Sequence, residues 1–176
     1  DGARLWNAAI ASGRSPAELA APFDVVSVAL SKGLGAPGGS LLAGANDVLR
    51  RAVRERRMLG GAMRQAGILA AGGLFALAHH LTRLAEDHAN AAGLAARLAA
   101  CPGIVLDLST VQTNIIVFHV AEGGPSAATV VERARQHGVL VLTFAASTIR
   151  AVTHLDVSAE QCDRAAAILV AAVEAR

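Results

Sequence analysis

Residues 23–30 read Phe-Asp-Val-Val-Ser-Val-Ala-Leu, an apolar, β-branched stretch that ends abruptly at Ser31-Lys32-Gly33-Leu34-Gly35-Ala36-Pro37-Gly38-Gly39. The first part predicts a strand covered on both faces; the second is too rich in glycine for any regular element. A lysine at the point where a buried strand enters a glycine loop is unusual, because a surface charge needs no such setting. An amine held near apolar surface loses its proton readily and becomes a nucleophile or a Schiff-base former. Taken locally, the same pattern fits equally a lysine that lies along its loop and does no chemistry.

The elements around this loop limit the architecture. Residues 4–12 predict a short helix with a Trp6/Ile10 face. Ser15-Pro16 is an N-cap followed by proline at the first helical position, opening a turn that runs to residue 20. Residues 40–43 predict a second strand. Asn46 is the expected cap of a helix over 47–58, which Gly60-Gly61 ends. Apolar helices follow over 63–79 and 81–100, the second stopped by Cys101-Pro102-Gly103. The pattern then changes: strands are expected over 104–108, 114–120, 139–144 and 148–152. A helix over 127–137 ends at Gly138, and Ser158 caps a last helix with Ala165, Ile168, Leu169 and Val173 on its apolar side.

The order is β-loop-β, three helices, then ββαββα. Residues 1–80 are expected to be the end of a larger α/β layer, and 81–176 a small α+β domain. So few strands cannot close the front sheet, so the chain is expected to belong to a protein about twice as long.

Composition narrows the function classes. With 53% apolar residues in 176, the chain can bury a real core, but only 3% are aromatic, so aliphatic side chains and alanine must fill it. The net charge is +2, from 16 basic and 14 acidic side chains. The local run Arg50-Arg51-Ala52-Val53-Arg54-Glu55-Arg56-Arg57 reads first as a solvated helix face and second as a phosphate or subunit contact. Nucleic acid is not the expected partner, because no aromatic side chains interleave with the charge. Cys101 and Cys162 lack CxxC spacing and read as reduced thiols of a cytoplasmic protein. The longest apolar run, residues 66–78, is too short to span a bilayer, so no membrane is expected. His79-His80 reads as a pair of helix-end histidines near the C-terminal dipole, and His119 and His154 as structural residues. No dense ligand cluster suggests a metal.

Asp1 stands about thirty residues before Lys32. Alone, Asp1-Gly2 is a commonplace turn signal. Together with a strand-end lysine, it suits a pyridoxal 5′-phosphate (PLP) site, where a carboxylate keeps the pyridine nitrogen protonated and the ring acts as an electron sink.

Four segments in order then resemble a known family. They are Asp1-Gly2-Ala3-Arg4-Leu5-Trp6-Asn7, Ser31-Lys32-Gly33-Leu34-Gly35-Ala36-Pro37, Met58-Leu59-Gly60-Gly61-Ala62-Met63-Arg64-Gln65-Ala66-Gly67 and Arg150-Ala151-Val152-Thr153-His154-Leu155-Asp156-Val157. Across nearly the whole chain they are similar to the low-specificity L-threonine aldolases, fold type I PLP enzymes of the aspartate-aminotransferase-like class. The resemblance implies an α/β fold, with residues 1–80 as the C-terminal part of the PLP-binding large domain. It implies that Lys32 carries PLP as a Schiff base and that Asp1 pairs with the pyridine nitrogen. Arg4 and Arg150 match arginines near the substrate carboxylate, while Arg57 and Arg64 match basic residues lent to the neighbouring subunit's cofactor phosphate. The family often has lysine where this chain has Arg57, and glycine where it has Ala62. The implied activity is cleavage of threonine, allo-threonine and related β-hydroxy-α-amino acids to glycine and an aldehyde, by a homodimer or homotetramer with shared sites. The base for the β-hydroxyl proton is expected outside these segments. A β-eliminating lyase of the same fold, or an inactive half, are the alternatives.

Overall fold

The computed structural model describes residues 1–175. It divides into two compact units, residues 1–84 and residues 85 onward.

The first unit carries α1 (Leu5–Ser12), α2 (Pro16–Ala20), β1 (Val25–Ala29), β2 (Ser40–Gly44), α3 (Asn46–Met58) and α4 (Gly67–His79). Trp6 tethers α1 to β1, donating from Nε1 to the Ala29 carbonyl at 3.2 Å. The Ser15 cap forms as expected and closes a full capping box with Glu18. β1 and β2 pair antiparallel from Val25 opposite Gly44 to Ala29 opposite Ser40. Within this chain Val26 and Val28 of β1 are buried while Ser27 between them is exposed, the alternation that a period of two gives along a strand.

On its other edge β1 takes a single parallel bridge, Gly2 opposite Val28. The Gly2 N–H donates to the Ser27 carbonyl at 2.6 Å. A Cβ at position 2 would stand 2.8 Å from that oxygen, so only glycine permits the approach.

Two helix starts differ from expectation. Ala45, not Asn46, is the N-cap of α3, and no side chain caps it. α4 begins at Gly67, not residue 63, because Gln65 sits at φ 58°, outside the helical region. α4 is apolar on every side but buries its small residues, Gly73 and Ala76. A Cβ at position 72 would meet Pro37 Cδ at 2.7 Å, and one at 73 would meet Leu30 Cδ1 at 2.9 Å. The helix is keyed against both ends of the loop.

The second unit holds α5 (Leu84–Ala99, whose first residue belongs to the first unit), β3 (Ile104–Val105), β4 (Ile115–Val120), α6 (Ala127–Gln136), β5 (Leu142–Ala145), β6 (Thr148–Val152) and α7 (Ala159–Glu174). Its strands form one antiparallel sheet in the order β3-β4-β6-β5. Ile116 and Phe118 of β4 and Ile149 of β6 are fully buried against Leu98, Val130 and Leu169 from the three helices. Each such side chain contributes about 1.5–3 kcal/mol of apolar burial. Ala165 and Ile168 are only partly buried, and α7 faces the core instead with Cys162, Ala166, Leu169, Ala172 and Val173.

β3 is shorter than the pattern suggested. Asp107 ends it by accepting from the Ser109 N–H at 2.9 Å, which opens a turn of 3₁₀ helix over Leu108–Thr110. β5 is also cut short, starting at Leu142, and all its residues are exposed at the sheet edge. Both cysteines are buried and free.

Candidate active site

β1 delivers the chain into the loop at residues 31–39, and backbone bonds fix the shape of that loop. The Gly35 N–H donates to the Lys32 carbonyl at 2.8 Å, closing a tight turn over residues 32–35. The Ala36 N–H returns to the Leu30 carbonyl at 3.0 Å, and the Leu30 N–H reaches the Gly39 carbonyl at 3.1 Å. Leu34 is fully buried, whereas Lys32 is exposed. Lys32 is thus an exposed residue on a turn whose backbone is hydrogen-bonded at both ends.

Glycine at position 33 is required by packing. A Cβ there would lie 2.5 Å from Asn7 Oδ1 and 3.1 Å from Leu84 Cδ2. Asn7 is itself 1% exposed and comes from α1, the helix that follows Asp1-Gly2-Ala3-Arg4. The first of the four segments therefore packs directly against the second.

Asp1 lies beside β1 through the Gly2 bridge to Val28, four residues before Lys32. Its Oδ1 accepts the Ala3 N–H at 2.9 Å, which fixes the carboxylate while leaving it exposed. Arg4 is half-buried at the N-cap of α1. Arg57 is exposed in the last turn of α3, and Arg64 is exposed in the irregular stretch before α4. Arg150 belongs to the second unit. It is half-buried in β6, opposite Val117 and Leu142, on the sheet face turned away from the core. The fold thus gathers Asp1, Arg4 and Lys32 around β1 and α1, with Arg57 and Arg64 on α3 and the stretch that follows it.

A groove of about 510 Å³ in the first unit is lined by Leu30, Gly39, Leu41, Arg56 and Met63, and a cavity of about 180 Å³ in the second by Leu94, Val141, Thr153, Gln161 and Cys162. Lys32 lines neither of these two.

Among the remaining candidates, His119 Nδ1 is 2.9 Å from Thr148 Oγ1 and His154 Nδ1 is 2.8 Å from Asp156 Oδ1, both local partnerships. His79 ends α4 and His80 is its C-cap. His80 also reaches across to the loop, with Nδ1 2.7 Å from the Leu34 carbonyl. Nothing local in the sequence signals that contact.

The front α/β unit and the separate antiparallel α+β unit have the fold of the fold type I class of PLP-dependent enzymes, as the comparisons with solved structures show. Within it, the chain belongs to the beta-eliminating lyase family, whose sequence profile matches residues 1–121. It is 45% identical over 167 residues to the low-specificity L-threonine aldolase of Escherichia coli O157:H7, covering 95% of this chain and 48% of that protein. A candidate L-allo-threonine aldolase from Listeria monocytogenes superposes with a TM-score of 0.80 at 24% identity, over 99% of this chain and 50% of that one. The ornithine aminotransferase of Plasmodium yoelii shares the fold more distantly, with a TM-score of 0.60 at 15% identity over 86% of this chain and 40% of that one. The chain spans about half the length of the curated relatives it matches. The family's cofactor is PLP. The residues present fit it: a lysine on a hydrogen-bonded turn at the end of β1 and an exposed carboxylate beside the same strand are the amine and the acceptor such a group requires.

Proposed function

We propose that this chain is the C-terminal part of a PLP-dependent aldolase that cleaves L-threonine, L-allo-threonine and related β-hydroxy-α-amino acids to glycine and an aldehyde. The observation that carries this reading is the Lys32 turn at the end of β1, closed by Gly35 and seated on Asn7. In this reading the first unit is the end of the PLP-binding large domain and the second is the small domain.

Bound PLP supplies an electron sink for the charge released when the Cα–Cβ bond breaks. The protein's residues do the rest. Lys32 would hold the cofactor through its side-chain amine. Asp1, its carboxylate held by the Ala3 N–H, would pair with the pyridine nitrogen and keep it protonated. Arg4 and Arg150 are assigned to the substrate carboxylate, which a planar guanidinium grips with two parallel bonds. Arg57 and Arg64, both exposed, are assigned to a neighbouring subunit's cofactor phosphate.

That last assignment implies a homodimer or homotetramer. No single helix among the described residues is long and apolar enough to cross a membrane. The two buried cysteines outside any disulfide support the reading of a cytoplasmic enzyme.

The test uses the full-length protein loaded with PLP and reduced with borohydride, followed by peptide mapping and product analysis. The reading requires the pyridoxyl mass on the peptide containing Lys32, and glycine plus acetaldehyde from threonine. Ammonia and a keto acid would instead assign β-elimination, and an unlabelled Lys32 would end the PLP reading altogether.

A further inference from the structure

Resting on the reading above, we infer that His80 is a positioning residue for the cofactor lysine, acting through the backbone of the Lys32 turn. Its Nδ1 lies 2.7 Å from the Leu34 carbonyl, 46 residues away in sequence. A carbonyl oxygen can only accept, so Nδ1 carries the proton and the ring is held as its Nδ1–H form or as imidazolium.

Leu34 is the third residue of the turn whose first is Lys32 and whose fourth, Gly35, donates back to the Lys32 carbonyl. The peptide plane that His80 grips joins Leu34 to Gly35, so its carbonyl and the Gly35 N–H belong to one rigid unit. Fixing one end of that plane fixes the other, and with it the Lys32 carbonyl.

His80 is itself well anchored. It caps α4, donating its own N–H to the Ala76 carbonyl at 2.8 Å, and its ring stands edge-on to Phe75 with centroids 5.5 Å apart. α4 in turn packs its glycines on Leu30 and Pro37, at the two ends of the same loop. The histidine completes this contact from the far side of the turn. It never needs to touch the cofactor.

The test compares the full-length protein with its His80→Leu and His80→Asn variants. The asparagine amide nitrogen occupies nearly the same place as histidine Nδ1 and keeps the donor, while leucine keeps only bulk. Amide exchange of Gly35 and Ala36 is read by mass spectrometry, and the visible band of the PLP-loaded protein is titrated with pH. Loss of one neutral hydrogen bond predicts about fivefold faster exchange at Gly35 in His80→Leu. It also predicts a displaced midpoint for the visible band, with both effects reversed in His80→Asn. Exchange and midpoint unchanged in His80→Leu would overturn the inference, as would an asparagine variant no better than leucine. Should His80→Leu not fold, His80→Ala is read the same way. A visible band that survives Lys32→Ala with His80 intact removes the PLP reading itself, and is thereby told apart from a failure of His80.

Discussion

Asn114 and Thr153 hold each other twice across the end of the β4–β6 pair. Asn114 Nδ2 donates to the Thr153 carbonyl at 2.7 Å, and the Thr153 N–H donates to the Asn114 carbonyl at 3.0 Å. Thr153 Oγ1 then donates to the Asp87 carbonyl at 2.6 Å, carrying the clamp into the first turn of α5. All three residues are at most 2% exposed, so each bond is made away from water. The clamp closes three residues beyond Arg150, and it ties the strand bearing that arginine to the core of the second unit.

Breaking this clamp is expected to cost more than a surface hydrogen bond. Thr153→Val should lower stability by about 1–2 kcal/mol, because the Asp87 carbonyl loses its donor while the shape is kept; Asn114→Ala should cost about 2–3 kcal/mol. Urea denaturation of each variant beside the wild type checks both figures. Equal midpoints would show that solvent replaces the bonds.

Three glycines should respond to alanine in three ways. Gly33→Ala meets the buried Asn7 at 2.5 Å and should destabilise by about 1–3 kcal/mol, disturbing the lysine turn as well. Gly13→Ala meets nothing within 4 Å, but φ is 68°, so the expected loss is about 1 kcal/mol. Gly93→Ala, in open space on α5, should stabilise by roughly 0.5–1 kcal/mol. Thermal midpoints of the three variants measure the ordering.

The second unit carries an acid-sensitive histidine. Burial lowers the pKa of His88 from its ordinary 6.5, with Asp87 opposing in part. The folded state therefore binds the proton less readily than the unfolded chain. That contribution to stability is complete above 6.5 and is lost as pH falls through the lowered folded value. An NMR titration should put the His88 midpoint below 6.5, and His88→Gln should flatten the stability profile on the acid side of that point. A midpoint above 6.5 contradicts this.

Cys162 should be a poor nucleophile. Burial pushes its thiol pKa up, and Asp163 and Asp87 push it in the same direction. Alkylation at neutral pH is expected to be slower than for a free thiol by about tenfold or more, and faster once urea opens the fold. A rate matching the free thiol would show that α7 frays at its start.

Substrate binding should depend on the shape of the group at position 150. Arg150→Lys keeps the charge but would lose the two-point grip proposed for this residue, so KM for threonine is expected to rise about tenfold with kcat changed less. An unchanged KM removes Arg150 from the site.

Much of this was legible because local chemistry decided it. Ser15 before proline and Ser158 before Gln161 form their capping boxes, and β6 spans the residues its alternation indicated. The misreadings have local causes too. Ala45 caps α3 through its backbone alone, Gln65 leaves the helical region, and Asp107 diverts the chain into a 3₁₀ turn. Lys32 stood out by its setting between a strand and glycines. His80 did not, because its partner lies 46 residues away and a helix-end histidine looks the same with or without it.

The missing side chains at Gly72 and Gly73 have a consequence for engineering. Pro37 and Leu30 lie where any Cβ at those positions would have to go. Moving the lysine loop by itself into a scaffold whose neighbouring helix bears ordinary residues would therefore leave it nowhere to sit. Loop, helix and the α1 segment that bears Asn7 are one transplantable cassette, residues 1–84, and a chimaera that cuts within it inherits the lysine without the packing that supports its turn.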